Sequence, residues 1–509
     1  MHLAILIAVA TVCAGIGYAN PLLHLPLAAL GFPLVLGLIA FSAGSPRKAF
    51  KRGWIVGTFS SLACLYWLAY PIGVYGGISW ILAVPCPVLM ALAVGAYYGI
   101  YTFILSIAAR RLHPFMLCIF SGALWATMEL AQGYFFTGFP WMTFSSAFAY
   151  WPESIQGAAF LGAYGLSGLL VSITTGVLTW KTSNFSKVWT LSVIVILLCL
   201  GALRTEPENF STLKITGNAT IGIVQGNIDQ AQKWDSKFQV STLKKYIKLS
   251  KSLPGKADLI LWPETAIPFQ IQNPSGLRVA LFNFCKDSGI PLLTGAPGYV
   301  LNPKTRTYSS YNRAILIDPA KTTLEWYDKS HLVPFGEYVP FEEYLPIGKL
   351  VQGVGNFIPG TDASPIQSAN LAMGILICYE GIFPELAQER VANGANILIN
   401  ISNDAWYGKT SAPYQHLGLV ALRAVEQGRY LIRDTNTGIS ACIDPLGKIT
   451  DSTELFVDAA ILVKPKLLSG KTFFSSNYGF VTYGPLVLTL LFSIWIAIST
   501  IVSRGKRNQ

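Results

Sequence analysis

Apolar residues fill the first two hundred positions in long runs interrupted by short Gly, Pro, Arg and Lys clusters, and beyond residue 204 the pattern changes to short apolar runs alternating with stretches of helical period. About 20 helical residues cross the hydrocarbon core of a bilayer. The long runs therefore predict spans at 3–19, 25–43, 54–75, 79–108, 115–135, 155–180, 188–203 and 483–503, with a break possible in the fourth at Pro85 and Pro87. The expected architecture is a polytopic α-helical bundle of about eight spans. Seven lie in 1–203, an α/β domain occupies 204–482, and 483–509 holds the last span and a basic tail. Within the middle part, 221–224, 259–262, 314–317 and 397–400 read as buried strands, and 240–252, 277–287, 382–393 and 415–429 as helices.

Composition agrees with a membrane protein, since 52% of the 509 residues are hydrophobic and 12% charged. Arg47, Lys48, Lys51, Arg52, Arg110, Arg111, Lys181, Lys187, Arg504, Lys506 and Arg507 fall in alternate inter-span segments, while 20–24, 76–78 and 136–154 contain no Lys or Arg. The positive-inside rule then expects both termini in the cytoplasm and 204–482 on the outward face. These bases account for most of the net charge of +11. The α/β domain is thus nearly neutral, which argues against nucleic acid as a partner, and the basic loops suit anionic membrane lipid. The five histidines are scattered and no cysteine pair has ligand spacing, so no metal is expected.

Candidate chemistry sits where apolar runs end. The run 374–377 finishes on Cys378, followed by Tyr379, Glu380 and a helical pattern with Pro384 and Glu385 in its first turn. A thiol at a helix N-terminus is expected to have a lowered pKa; the plainer alternative is a small buried hydrophobe. The run 259–262 ends on Pro263 and Glu264, either a general base or a surface glutamate. The segment 327–340 is too rich in Pro and Gly for a helix; its Lys329 would stabilise an oxyanion beside a reacting carbonyl, with Glu337 holding it or sharing in proton transfer. Glu129, near the outward end of the fifth span, is either functional or solvated at a helix end.

Together, Trp262-Pro263-Glu264-Thr265, the segment Lys329 to Pro340 and Ile377-Cys378-Tyr379-Glu380 resemble the nitrilase, or carbon–nitrogen hydrolase, superfamily, whose catalytic Glu, Lys and Cys occur in this order. With Val224-Gln225-Gly226-Asn227, Lys233-Trp234-Asp235, Ser402-Asn403-Asp404-Ala405-Trp406, Gly138-Phe139-Pro140-Trp141 and the flanking spans, the whole chain is similar to the bacterial apolipoprotein N-acyltransferases. The resemblance implies a nitrilase-like four-layer αββα sandwich on the periplasmic side of the inner membrane. It makes Glu264 the general base, Lys329 the oxyanion-stabilising cation and Cys378 the nucleophile, supported by Glu337, Tyr379 and Glu380, with Trp234 touching substrate. It further implies no cofactor, a phospholipid acyl donor such as phosphatidylethanolamine, a diacylated apolipoprotein acceptor and a cysteine thioester between them. Phe341, Tyr344, Leu345, Leu350, Val351, Phe357 and Ile358 would suit an apolar lid. Two other readings compete: a membrane-tethered amidase or nitrilase, and a non-catalytic lipopeptide-binding module.

Overall fold

The computed structural model describes residues 2–505 apart from 78, 232, 234, 302–305 and 341–356. Trp234, and Phe341, Tyr344, Leu345, Leu350 and Val351 of the expected lid, lie outside the described residues.

All eight long apolar runs form helix. Among the described residues, six segments are long and apolar enough to cross a membrane: Pro46–Tyr75, Trp80–Ala108, Pro114–Thr137, Ala158–Leu178, Asn184–Leu203 and Tyr478–Ser503. The first two runs give the shorter helices Leu3–Gly17 and Pro26–Ser42. The third run starts earlier than its apolar residues do. Ser45 accepts a hydrogen bond from the Lys48 amide at 3.3 Å and Pro46 takes the first helical position, so the four bases 47, 48, 51 and 52 ride on the helix itself. In the fourth, the helix restarts at Pro85 after Trp80–Ala83. Leu191, Val195 and Leu198 on one helix, and Val487, Leu491, Ile494 and Ile498 on the closing one, are left exposed. Water would penalise such faces at about 25 cal/mol per Å²; lipid would not.

Two six-stranded sheets pack face to face in the second half. The first runs Ala459–Val463, Ile221–Gln225, Leu259–Leu261, Leu292–Leu301, Tyr308–Ile317, Glu325–Asp328, edge to edge. The second runs Ile449–Ser452, Ala441–Ile443, Leu431–Thr435, Ile397–Ser402, Leu371–Ile377, Ile366–Ser368. Side chains alternate faces along a strand, and three inner strands use the alternation: Leu259, Leu261, Ile375, Ile377, Ile397, Ile399 and Ile401 fill the space between the sheets. Ile260 and Trp262 point the other way, onto helices Gln239–Lys251 and Gly276–Ser288. Leu376 and Leu398 do the same against Pro384–Ala392 and Ala412–Gln427. The result is the expected αββα layering.

Helix Ala412–Gln427 is buried along its whole length because it has two apolar faces. Leu417, Val420, Ala421 and Ala424 cover the sheet, whereas Leu419, Leu422 and Val425 join the core of the apolar bundle. Its Gln415 accepts from the indole N–H of Trp67 at 3.2 Å and of Trp141 at 2.8 Å, and donates to the Cys64 carbonyl at 3.2 Å. One amide thus ties the sandwich to two helical segments of the bundle.

Glu129 is buried rather than solvated. Its Oε1 accepts from Trp125 Nε1 at 2.8 Å and from the Phe144 amide at 2.7 Å, because residues 138–148 fold back into the bundle over the helix end.

Candidate active site

The three residues expected to react come from three different places. Glu264 follows the inner strand Leu259–Leu261, Lys329 follows the edge strand Glu325–Asp328 of the same sheet, and Cys378 follows Leu371–Ile377 of the other. All three line one cavity of about 480 Å³. The neighbouring strand carries Gly295 where the Glu264 backbone crosses it; a Cβ there would meet Glu264 Cα at 2.7 Å, so only glycine lets the carboxylate's segment lie this close.

Cys378 has φ +54°, a left-handed conformation that costs a non-glycine residue about 1–3 kcal/mol. Its surroundings hold it there. Asn400 Nδ2 donates to the carbonyls of Leu376 at 2.9 Å and Cys378 at 3.3 Å, and Glu380 Oε2 accepts the Ile377 amide at 2.7 Å. The chain thereby leaves the strand sharply at the thiol. A 3₁₀ turn, Cys378–Ile382, intervenes before the helix at Pro384, so the thiol does not head an α-helix. The expectation of a lowered thiol pKa fails: burial, then the Glu264 carboxylate, push the thiol up to about 12, against the opposing pull of Lys329.

Glu264 and Lys329 form a linked set with Glu337. Lys329 Nζ lies 2.9 Å from Glu337 Oε2 and 3.8 Å from Glu264 Oε1. Burial alone would lower the lysine, but the two carboxylates outweigh it and hold the ammonium well above its ordinary value. Asn312 Nδ2 donates to Glu264 Oε1 at 2.7 Å and to Glu337 Oε1 at 2.8 Å, and the Val333 amide donates to Glu337 Oε2 at 2.8 Å. Glu264 Oε2 is buried and accepts from no group among the described residues. One carboxylate oxygen is therefore held and the other is available to a proton.

Glu380 fastens the lysine's loop to the cysteine's strand. While its Oε2 takes the Ile377 amide, Oε1 accepts from Tyr327 Oη at 2.7 Å, the amides of Ser330 at 2.8 Å and His331 at 3.0 Å, and Ser330 Oγ at 2.9 Å. Arg390 Nη2 completes the cluster by donating to Tyr327 Oη at 2.6 Å. Tyr379 faces the bundle: its hydroxyl donates to the Gly138 carbonyl at 2.9 Å and its ring stacks on Trp141, 6.5 Å between centroids.

The far wall of the cavity is apolar and comes from the bundle: Trp67, Leu68, Ile72, Met90, Phe136 and Phe139. Phe357 also lines it, while Ile358 of the expected lid is exposed. The sequence assigns no role to Asn312, Trp67, Leu68, Ile72 or Met90, and Lys233 and Phe139 enter it only as members of the motifs that carry the resemblance. Asn312 sits in a strand with no local mark of its two carboxylate partners, and the wall is assembled from several helical segments between residues 67 and 139.

Two family models match the chain: carbon–nitrogen hydrolase over residues 220–460, and the apolipoprotein N-acyltransferase N-terminal domain over 12–176. A protein of Geobacter metallireducens named apolipoprotein N-acyltransferase is 35% identical over 467 residues, covering 89% of this chain and 87% of its own. Proteins of the same name from Rickettsia typhi and Pseudomonas syringae are 32% and 33% identical, covering 87% and 85% of this chain and 89% and 86% of theirs. Among solved structures, Nit3 of Saccharomyces cerevisiae, a member of branch 10 of the nitrilase superfamily, aligns with 52% of this chain and 95% of its own at 20% identity and a TM-score of 0.37.

Proposed function

Because the chain belongs to the apolipoprotein N-acyltransferase family, we propose that it acylates its acceptor in two half-reactions through a thioester on Cys378. In the first, Glu264 Oε2 takes the thiol proton as sulfur attacks an ester carbonyl carbon of a phospholipid, with phosphatidylethanolamine the expected donor. Lys329 lies against the tetrahedral oxyanion, a contribution typically worth several kcal/mol. Collapse breaks the ester C–O bond, the lysophospholipid oxygen takes the proton back from Glu264, and the acyl group stays on sulfur. In the second, the α-amine of a diacylglyceryl-cysteine attacks the thioester carbon. Glu264 receives the amine proton, and the departing thiolate recovers it.

The observation that carries this reading is a single cavity with Glu264, Lys329 and Cys378 on one wall and membrane-type helices on the other. A hydrolase of small soluble amides has no use for that second wall. Drawing a lipid chain fully out of a bilayer costs about 0.8 kcal/mol per methylene, so a reaction between two lipidated substrates belongs at the membrane surface. The uneven placement of Lys and Arg supports a periplasmic site, both termini cytoplasmic, and a bundle closed by the last helix. Glu337, Glu380 and Tyr379 act as positioning residues, and Trp234 contacts substrate.

Intact-protein mass spectrometry after incubation with phospholipid alone tests the scheme. An acyl-sized mass on the wild type, absent from Cys378→Ala and moving to an added lipopeptide amine, is expected. Release of free fatty acid at the rate of acylation, with no transfer, would favour the amidase-like alternative.

A further inference from the structure

Lys233 lines the same cavity as the reacting groups and is 2% exposed. Lys329, the other lysine there, is committed to two carboxylates. Among the described residues Lys233 has no ion-pair partner; its ammonium donates to the main-chain carbonyl of Glu264 at 3.0 Å, which leaves N–H groups uncommitted. Gln230, in the same cavity, uses Oε1 to accept from Asn403 Nδ2 at 2.6 Å, and its amide nitrogen has no acceptor among the described residues. Asn403 is itself fixed by Asn436 Nδ2 at 3.1 Å. Lys233 and Gln230 therefore offer uncommitted donors beside Glu264, Gln230 being held through Asn403 and Asn436.

A buried ammonium without a counter-anion is an unfinished arrangement, because the cost of taking the charge out of water is recovered only when an anion joins it. Burial lowers the Lys233 pKa to about 8, with Glu264 opposing as a neighbour and not as an ion-pair partner. An anion in the cavity would raise it again.

We propose that Lys233 and Gln230 form an anion subsite that holds the phosphodiester of the acyl donor while its ester lies against Cys378. The assignment rests on the thioester reading above. The subsite distinguishes a phospholipid from a diacylglycerol bearing the same acyl ester, since only the former brings an anion to the corner. Planar amide and ammonium donors together match the oxygens of a phosphodiester.

The test measures acyl-enzyme formation by intact mass with two donors, phosphatidylethanolamine and diacylglycerol, in the wild type, Lys233→Met, Lys233→Arg and Gln230→Ala. The wild type should favour the phospholipid. In Lys233→Met the phospholipid rate should fall about 10- to 100-fold, toward the diacylglycerol rate, which stays unchanged; Lys233→Arg should retain most of the preference and Gln230→Ala lose part of it. An equal fall with both donors would overturn the subsite and leave Lys233 as a prop for the Glu264 backbone. A defect confined to transfer onto the amine would overturn it too. If Lys233→Met does not fold, loss of preference in Gln230→Ala decides, and its retention counts against the proposal. A wild type that never gains an acyl mass from either donor would instead refute the thioester scheme, taking the subsite with it.

Discussion

Replacing Glu264 with Gln separates two effects that usually move together, the acidity of a nucleophile and its rate of reaction. The amide keeps a carbonyl oxygen for the 2.7 Å bond from Asn312, and Lys329 keeps Glu337 at 2.9 Å, so the fold around the site should survive. Removing the carboxylate's charge takes away the second cause of the raised thiol pKa, while burial, the larger cause, remains. The thiol should thus titrate below about 12 but still above an exposed cysteine. At pH 7 a thiol of pKa about 12 is ionised in roughly one molecule in 10⁵, equivalent to about 7 kcal/mol. In the proposed scheme the wild type therefore needs proton removal within the attack itself. A positioned base is worth about 10²–10⁴-fold, and Glu264→Gln should slow acyl-enzyme formation by that order even though its free thiolate is more abundant. The pH dependence of alkylation by a small neutral reagent gives the thiol titration, and intact mass gives acylation. Alkylation in the variant should rise at lower pH than in the wild type. A titration moved upward, or acylation at the wild-type rate, would falsify the assignment of Glu264 as both neighbour and base.

Cys378→Ala should insert and fold normally yet never acquire an acyl mass; triacylated product from it would remove the nucleophile from consideration. In Glu380→Gln, either the Ile377 amide or the donors of the 327–331 loop face an NH₂ group. Unmet buried donors cost about 1–3 kcal/mol each, so thermal unfolding in detergent should move down and acylation fall with it; unchanged values in both would show the loop is held by something else. Gln415→Leu strands the buried indole N–H groups of Trp67 and Trp141, at about 2–6 kcal/mol in total. It should destabilise the protein and weaken use of long-chain donors more than short-chain ones, and equal loss across chain lengths would argue against Trp67 and Trp141 shaping the acyl wall.

What the sequence disclosed depended on how local the cause was. Glu264, Lys329 and Cys378 each close an apolar run or open a Pro-rich loop, and strand ends are legible from period and punctuation. The strand Leu292–Leu301 is not among the strands expected from the sequence, and it carries Gly295, Pro297 and Gly298, residue types that ordinarily mark turns; its Gly295 instead answers the close approach of Glu264. Asn312 and Lys233 carry no local sign of partners that come from other strands. The thiol's acidity was misjudged for the same reason: a helix dipole is a neighbourhood effect visible in sequence, whereas burial between sheets is tertiary. Glu129 is compatible in sequence with a functional role or with solvation at a helix end, and the 138–148 segment that closes over it excludes the second.

The apolar filling between the two sheets has a kinetic meaning as well as a structural one. Glu264 and Lys329 hang from one sheet and Cys378 from the other, so in the proposed scheme Ile223, Leu261, Ile375 and Ile399 act as the spacer that sets how far a proton must travel. A displacement of 1 Å in such an arrangement can cost about 100-fold in rate. Shortening one of these side chains can detune the reaction without touching any group that takes part in it, and the tolerance of the enzyme to core substitution is then governed by reach rather than by melting temperature.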